Sequence, residues 1–295
     1  MPPNTKRYQN DAVGALYELA KECRLCPHRC GARRDGGETG RCGVGLTPRV
    51  ASAGPHFGEE AELVGRGGSG TIFFGGCNLS CIFCQNAELS AGHAGTETPP
   101  EEVAALMLAL QRQGCENVNL VTPTHVAPAV AAAIARARAQ GLTVPVVYNC
   151  GGYESVEALR LLDGFVEIYM PDAKYGPAAA AGELSGADYY FERMTAALRE
   201  MHRQVGDLET DGRGVATRGL LVRHLVLPGG RADSEPVLRF LAEELSPRTY
   251  VNIMDQYRPC HRASEVPALG RATTREEVAA VKRRARELGL TRGFK

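Results

Sequence analysis

Residues 71–86 read TIFFGGCNLSCIFCQN, which is a short apolar run, a glycine pair and three cysteines in succession. The β-branched and aromatic run at 71–74 predicts a buried strand. Gly75 and Gly76 then allow the backbone to turn sharply and to approach a ligand closely. The cysteines follow with the spacing C-x3-C-x2-C, at Cys77, Cys81 and Cys84.

The number of cysteines in this loop is informative about the metal that it binds. A structural zinc ion is coordinated by four protein ligands, which leave no open position. A cubane [4Fe–4S] cluster held by three thiolates instead leaves one iron open to an external ligand. The loop also follows a strand, at the end of a parallel sheet where active sites form. The spacing therefore favours a cluster, and the alternative is a zinc site that borrows a distant fourth ligand.

Downstream of residue 70, short apolar runs alternate with longer amphipathic segments. The predicted strands are 71–74, 117–121, 144–148, 166–170, 220–227 and 250–253. The predicted helices are 100–113, 128–140, 155–162, 188–204, 234–244 and 274–288. This alternation predicts a parallel sheet built from βα units. Because six units are too few for a closed eight-stranded barrel, we expect an α/β fold with a partial (β/α)6 TIM-like barrel.

A second group of cysteines lies upstream in a glycine-rich and arginine-rich segment, at Cys23, Cys26, Cys30 and Cys42. The segment is too polar to form a core of its own, so a bound metal is expected to supply its stability. Thiolates suit zinc and iron–sulfur clusters alike. The second metal is therefore either a structural zinc ion or an auxiliary [4Fe–4S] cluster, and the sequence leaves both open.

Glycine-rich residues 65–70 mark the expected domain boundary. We expect an N-terminal helix and four-cysteine metal-binding segment over residues 1–69, the partial barrel over 70–259, and a C-terminal extension with a helix over 260–295. Residues 11–22 have helical spacing, and residues 50–63 are expected to be irregular or a short strand.

Composition restricts the possible partners and location. The 295 residues contain 34 Lys+Arg and 34 Asp+Glu, so the formal net charge is zero and no basic surface for nucleic acid is expected. No apolar run is long enough to span a bilayer, and residues 1–10 have no apolar stretch like that of a signal peptide. Ten cysteines, seven of them in two groups with metal-like spacing, fit a reducing compartment. We expect a cytoplasmic protein without nucleic-acid or membrane partners.

The three-cysteine loop after a first strand, with Phe83 before the last cysteine, resembles the radical S-adenosylmethionine superfamily. The resemblance implies that the three cysteines bind three irons and that the methionyl amine and carboxylate chelate the fourth. One-electron reduction would then yield a 5′-deoxyadenosyl radical that takes a hydrogen atom from a substrate. It also implies a low-potential electron donor such as flavodoxin or ferredoxin.

The same resemblance assigns cofactor contacts to residues at successive strand ends, together with Phe83. Thr122 and Thr124 occupy the position of a Gly-Gly-Glu segment that contacts the methionine amine in the family, although the residue types differ in this chain. Asn149 lies in a segment similar to the ribose-contacting strand of glycyl-radical activating enzymes.

The remaining strand ends extend the resemblance to those activating enzymes. Asp172 and Lys174 are similar to their Asp-x-Lys pair, and Arg223 lies in a segment similar to their fifth strand. Segments 54–60, 119–125, 201–206 and 252–259 resemble a pyruvate formate-lyase-activating-enzyme-like branch of uncharacterised Fe–S proteins.

Three functions are therefore open. The first is activation of a glycyl-radical enzyme. The second is a small-molecule radical epimerase or rearrangement enzyme, in which Cys260, after the last strand, donates a hydrogen atom. The third, from another class, is a non-enzymatic zinc-binding interaction protein.

Overall fold

A sheet of nine strands runs through the computed structural model, which describes residues 3–91 and 94–294. The strands are β1 Arg49–His56, β2 Ser69–Phe74, β3 Thr96–Glu97, β4 Asn117–Val121, β5 Val146–Cys150, β6 Ile168–Pro171, β7 Glu209–Thr210, β8 Ala216–Leu225 and β9 Tyr250–Met254.

Six strands are parallel and neighbour one another in the order β2-β4-β5-β6-β8-β9. They correspond to the six predicted strands and confirm the α/β fold with a mostly parallel, partial barrel. Residues 49–56, expected to be irregular or a short strand, form an eight-residue strand that pairs antiparallel with β2. The edge of the barrel next to the cysteine loop is thus covered by β1.

Helices alternate with the parallel strands, as the sequence pattern predicts. They are α1 Pro3–Lys21, α2 Ala61–Val64, α3 Ala87–Ser90, α4 Pro100–Arg112, α5 Ala127–Ala139, α6 Val156–Leu161, α7 Ala181–Ser185, α8 Tyr190–Val205, α9 Ser234–Arg239 and α10 Arg275–Glu287. A π-helical turn at Phe240–Leu245 continues α9. Thr274 caps α10 in a capping box with Glu277, which fixes its start at the predicted position.

Two apolar clusters stabilise the barrel. The larger one fills the space between the sheet and the surrounding helices. The smaller one joins residues of several strands to α2 and includes Leu63 of α2, Val147, Ile168 and Leu221, all fully buried.

The N-terminal helix α1 packs against α5 and α6, which brings the four-cysteine segment to the side of the barrel. Within residues 3–91 and 94–294, none of the helices is both long and apolar enough to cross a membrane.

Candidate metal centre and cofactor site

A cavity of about 280 Å³ opens at the carboxyl ends of the parallel strands. Its lining comes from the ends of the strands and from the cysteine loop. The predicted residues that line it are Cys77, Cys81, Phe83, Cys84, Thr122, Asn149, Asp172, Lys174 and Arg223. The structure therefore brings together residues spread over almost 150 positions, because parallel strands end at one edge.

The cysteine loop is held by glycine and by hydrogen bonds to sulfur. Gly76 adopts a left-handed conformation with φ of 84°, which turns the chain directly before Cys77. The backbone N–H of Leu79 donates to Cys77 Sγ at 3.3 Å, and Ser185 Oγ donates to Cys81 Sγ at 3.0 Å. Ser90 Oγ donates to Cys84 Sγ at 3.6 Å. Each thiol therefore has a donor that would stabilise its ionised form.

Burial raises the pKa of Cys77 and the pKa of Cys81 above the usual range of a thiol. The Lys174 ammonium opposes this effect on the pKa of Cys81. A buried thiolate is thus unfavourable here unless further positive charge lies beside it, and bound iron supplies that charge. The donor set fits an iron–sulfur cluster.

In the part of the chain that the structure describes, no three His, Cys, Asp or Glu side chains converge closely enough to hold a single metal ion. The loop by itself supplies three thiols, one fewer than the four ligands of a structural zinc site. Three thiolates suit a cubane that leaves one iron open to an external ligand.

A buried network of charged and polar side chains forms another part of the cavity wall. Lys174 Nζ donates to Asp172 Oδ2 at 2.6 Å, and Arg223 Nε donates to Asp172 Oδ1 at 3.0 Å. Arg223 Nη2 also donates to Asn149 Oδ1 at 2.7 Å. The ends of β5, β6 and β8 are thereby linked through side chains.

The electrostatics of this network keep its groups charged. Burial alone would raise the pKa of Asp172, but the Lys174 ammonium and the Arg223 guanidinium outweigh burial and lower it. Burial would lower the pKa of Lys174 and of Arg223, but Asp172 raises both. The wall therefore presents two cations, Lys174 and Arg223. Asp172 does not use all of their hydrogen-bond donors.

Glu59 adds a second carboxylate to this network. Its carboxylate lies 3.7 Å from Arg223 Nη1, and burial raises its pKa. Sequence reasoning missed this residue, because a glutamate in a loop carries no local signal of burial. Its position depends on a contact with a strand more than 160 residues away.

The two predicted threonines that follow β4 have different surroundings. Thr122 lines the cavity with φ of 61°, which is strained for a β-branched residue, and its N–H donates to the Asn149 carbonyl at 2.8 Å. Thr124 is buried behind the cavity, where its hydroxyl donates to Glu154 Oε1 at 2.7 Å. The structure thus brings Thr122, but not Thr124, to the site.

Aromatic and polar residues after β9 close one side of the cavity. Phe83 is buried and meets Tyr257 edge to face, with ring centroids 5.9 Å apart. Gln256 and Tyr257 line the cavity, whereas Cys260 lies outside that lining. The Arg262 N–H donates to the Ile82 carbonyl at 2.8 Å, so the segment around Cys260 is attached to the outside of the cysteine loop. Neither Gln256 nor Tyr257 was singled out from the sequence.

The four N-terminal cysteines also come together. Cys23, Cys26, Cys30 and Cys42 line a second, smaller cavity with His28, Arg34 and His125. Burial raises the pKa of Cys26 to about 12 and raises the pKa of Cys23. Burial also tends to raise the pKa of Cys30, but backbone N–H groups of Ala32 and Arg41 lower it overall.

Solved structures with a similar fold include radical S-adenosylmethionine methyltransferase TsrM from Kitasatospora setae, with cobalamin and a [4Fe–4S] cluster bound or with tryptophan and aza-SAM bound. Both are 19% identical with TM-scores of 0.46 over 64% of this chain. This chain spans 37% and 36% of the length of those chains.

One protein of similar sequence and one match to a protein family identify the superfamily. Uncharacterized protein MJ0674 of Methanocaldococcus jannaschii is 32% identical over 276 residues, which cover 90% of this chain and 75% of that protein. Residues 71–206 match the Radical SAM superfamily, and they contain the cysteine loop and the first four parallel strands. The chain belongs to the radical SAM superfamily.

Proposed function

We propose that this chain reductively cleaves S-adenosylmethionine at a [4Fe–4S] cluster held by Cys77, Cys81 and Cys84, and that a substrate hydrogen atom is abstracted in the same cavity. The observation that carries the proposal is the shared cavity, in which three thiols face the network around Asp172. An interaction protein that binds zinc has no need of such a cavity or of its buried cations.

The cluster, when bound and reduced, supplies the electron that splits S-adenosylmethionine into methionine and a 5′-deoxyadenosyl radical. The protein's own residues orient the cosubstrate. Lys174 and Arg223 are cations suited to its carboxylate, and Asn149 is suited to its ribose hydroxyls. Thr122, directly after β4, lines the same cavity, where its hydroxyl or backbone carbonyl would accept a hydrogen bond from the ammonium group.

Apolar and aromatic side chains protect the radical. Phe83, Leu225 and Tyr257 line the cavity beside the polar network. Their rings and methyl groups exclude water and competing hydrogen donors from the reacting atoms, which is the contribution that a protein makes to cofactor chemistry of this kind.

As the recipient of the radical we propose a backbone glycine of a partner glycyl-radical enzyme. Support comes from the segments at Asn149, Asp172–Lys174 and Arg223, which resemble those of activating enzymes and which here form one hydrogen-bonded network. In this proposal flavodoxin or ferredoxin supplies the electron. Hydrogen donation to a small molecule by Cys260 receives less support, because Cys260 lies outside the cavity lining.

Anaerobic reconstitution tests the cleavage. The reconstituted protein, incubated with dithionite and S-adenosylmethionine, is expected to form 5′-deoxyadenosine and methionine in equal amounts. The triple variant Cys77→Ala, Cys81→Ala, Cys84→Ala should form neither, and Cys115→Ala, at a buried cysteine outside both cavities, should behave like the wild type. A fully loaded wild-type protein that forms no 5′-deoxyadenosine contradicts the proposal.

The partner is tested by electron paramagnetic resonance. A glycyl-radical enzyme incubated with the reduced protein and S-adenosylmethionine should develop a glycyl-radical signal, and its chain should be cut at that glycine on exposure to oxygen. Cleavage of S-adenosylmethionine without either result would restrict the proposal to a different recipient.

A further inference from the structure

We infer that Gln85, Asn86 and Gln256 recognise the main chain of an uncharged peptide segment at the mouth of the barrel cavity. The inference rests on the proposed function and deepens it, because it assigns the selection of the recipient to three side chains. It concerns binding of the recipient alone, so its test needs no cleavage of S-adenosylmethionine.

The three side chains form an exposed rim of the cavity. Gln85, Asn86 and Gln256 line the cavity and are exposed to solvent. The charged wall is deeper, since the side chains of Lys174 and Asp172 are only 16% and 14% exposed. A molecule that enters from solvent therefore meets the carboxamides of the rim before it reaches the wall.

Other polar side chains of the lining are already engaged within the protein. Ser90 Oγ donates to Cys84 Sγ at 3.6 Å, and the Tyr257 hydroxyl donates to the Leu269 carbonyl oxygen at 2.8 Å. Asn86 differs from them. It occupies the N-cap position of α3, but its side chain makes no capping hydrogen bond. Its carboxamide is thus available to a bound molecule.

A carboxamide matches a peptide group in its hydrogen bonds. Each carboxamide offers a carbonyl acceptor and two N–H donors, and each peptide group of a main chain presents one N–H and one C=O. A row of carboxamides can therefore pair with a main chain whatever its side chains are. Affinity for an extended peptide arises in this way, from hydrogen bonds to its backbone.

The charges of the cavity argue against a charged small molecule at the rim. In residues 3–91 and 94–294, the acidic and basic side chains of the lining are Asp172, Lys174 and Arg223, which bond to one another in the deeper wall. The exposed carboxylates Glu88 and Asp255 lie outside the lining. Removing an ion from water without a counter-charge is unfavourable. The rim therefore favours a neutral segment.

The carboxamides lie on two sides of the gap in the partial barrel. The series of parallel strands begins with β2 and ends with β9. Gln85 and Asn86 follow the cysteine loop after β2, and Gln256 lies two residues after β9. Phe83 and Tyr257, with ring centroids 5.9 Å apart, hold these two stretches together. An extended segment that enters here can form hydrogen bonds to both.

Glycine is the residue whose main chain such a site brings closest to the cluster of the barrel. It has no Cβ atom, so its Cα and both flanking peptide groups can approach a wall directly. The apolar part of the lining, which includes Leu89, Leu225 and Met254, offers no partner for a polar side chain. The segment that fits is extended, uncharged and centred on glycine.

Binding of a synthetic peptide tests the inference without radical chemistry. The probe has one glycine between two pairs of alanines and is blocked at both ends. Its affinity for the reconstituted protein is measured by calorimetry with S-adenosylmethionine and no reductant. In Gln85→Leu, Asn86→Leu, Gln256→Leu we expect binding to be weaker by about tenfold or more, because several hydrogen bonds are lost.

The matched control is Gln113→Leu, Gln140→Leu, at two exposed carboxamides that end α4 and α5 outside the cavity lining. It should bind the peptide like the wild type. Equal affinities in the triple variant and this control overturn the inference, and so does a wild-type protein that does not bind the peptide.

An ester analogue identifies the main chain as the recognised part. Esters replace the two amides that flank glycine, so two N–H donors are lost while the shape is kept. We expect the wild type to bind the ester about tenfold more weakly than the amide, and the triple variant to bind both alike. A wild type that binds both equally, or that prefers free glycine, overturns main-chain recognition. A protein that binds the peptide as expected but does not cleave S-adenosylmethionine contradicts the proposed function and supports this inference.

Discussion

Arg223 at the end of β8 donates from Nε to Asp172 Oδ1 at the end of β6, at 3.0 Å. Asp172 is also bonded to Lys174 at 2.6 Å, so one buried carboxylate orients both cations of the cavity wall. The orientation of these cations, rather than their mere presence, makes the wall complementary to a carboxylate. Loss of Asp172 should therefore affect binding as well as stability.

Asp172→Asn is expected to weaken S-adenosylmethionine binding by a factor of 10 or more, because Lys174 and Arg223 lose the anion that holds them. Breaking a buried pair costs about 3 kcal/mol of folding free energy, and Glu59 beside Arg223 should limit that loss. Binding is measured from the change that S-adenosylmethionine causes in the spectrum of the reduced cluster. Asp255→Asn, at a carboxylate exposed to solvent, is the control; equal affinities would refute the orienting role.

Ser185→Ala is expected to make the reduction potential of the barrel cluster more negative. Ser185 Oγ donates to Cys81 Sγ at 3.0 Å and is itself held by the Tyr175 hydroxyl at 2.6 Å. A hydrogen bond to a ligating sulfur stabilises the more negative, reduced cluster. The midpoint is read from a redox titration followed by electron paramagnetic resonance.

Thr195→Ala serves as the control for that titration, since its hydroxyl donates to the Glu192 carbonyl within α8. A midpoint in Ser185→Ala that equals the wild-type value, or lies above it, would show that this hydrogen bond does not tune the cluster.

The six parallel strands and the cysteine loop were predictable from sequence because both depend on local patterns. Apolar runs such as 117–121 are buried on both faces, and the three cysteines are close in the chain. Residues 49–56 were harder, because Gly54 and Pro55 interrupt the pattern and pairing with β2 supplies their order. The surroundings of Thr124 were equally hidden, since Glu154, 30 residues later, binds its hydroxyl. Long-range partners of polar residues leave no periodic signal.

Gly152→Ala is expected to destabilise the fold and to displace Asp172. Gly152 has φ of 75°, and a Cβ atom there would overlap the Asp172 carbonyl oxygen and lie 2.9 Å from the Tyr190 hydroxyl. Left-handed strain alone costs about 1 kcal/mol, and the clash adds to it. Gly141→Ala separates the two effects, because Gly141 is left-handed with nothing within 4 Å of its Cβ position. Equal losses of melting temperature in the two variants would rule out the clash.

Glu154→Gln should change how stability depends on pH. Burial raises the pKa of Glu154 from 4.5 to about 7, against hydrogen bonds from Thr124 and Tyr148 that favour the ionised form. Between these two values the folded protein keeps a proton that the unfolded chain has lost, so stability falls as pH rises through this window. Above pH 7 the full cost of the buried carboxylate, about 3 kcal/mol, is present.

Glu154→Gln has no carboxyl group to titrate at this position. The free energy of unfolding of the variant minus that of the wild type should therefore increase from pH 5 to pH 8. Anaerobic denaturant unfolding at the two pH values measures the difference, and Glu276→Gln, at an exposed carboxylate of α10, controls for loss of surface charge. A gap between Glu154→Gln and the wild type that is the same at both pH values would contradict the raised pKa of Glu154.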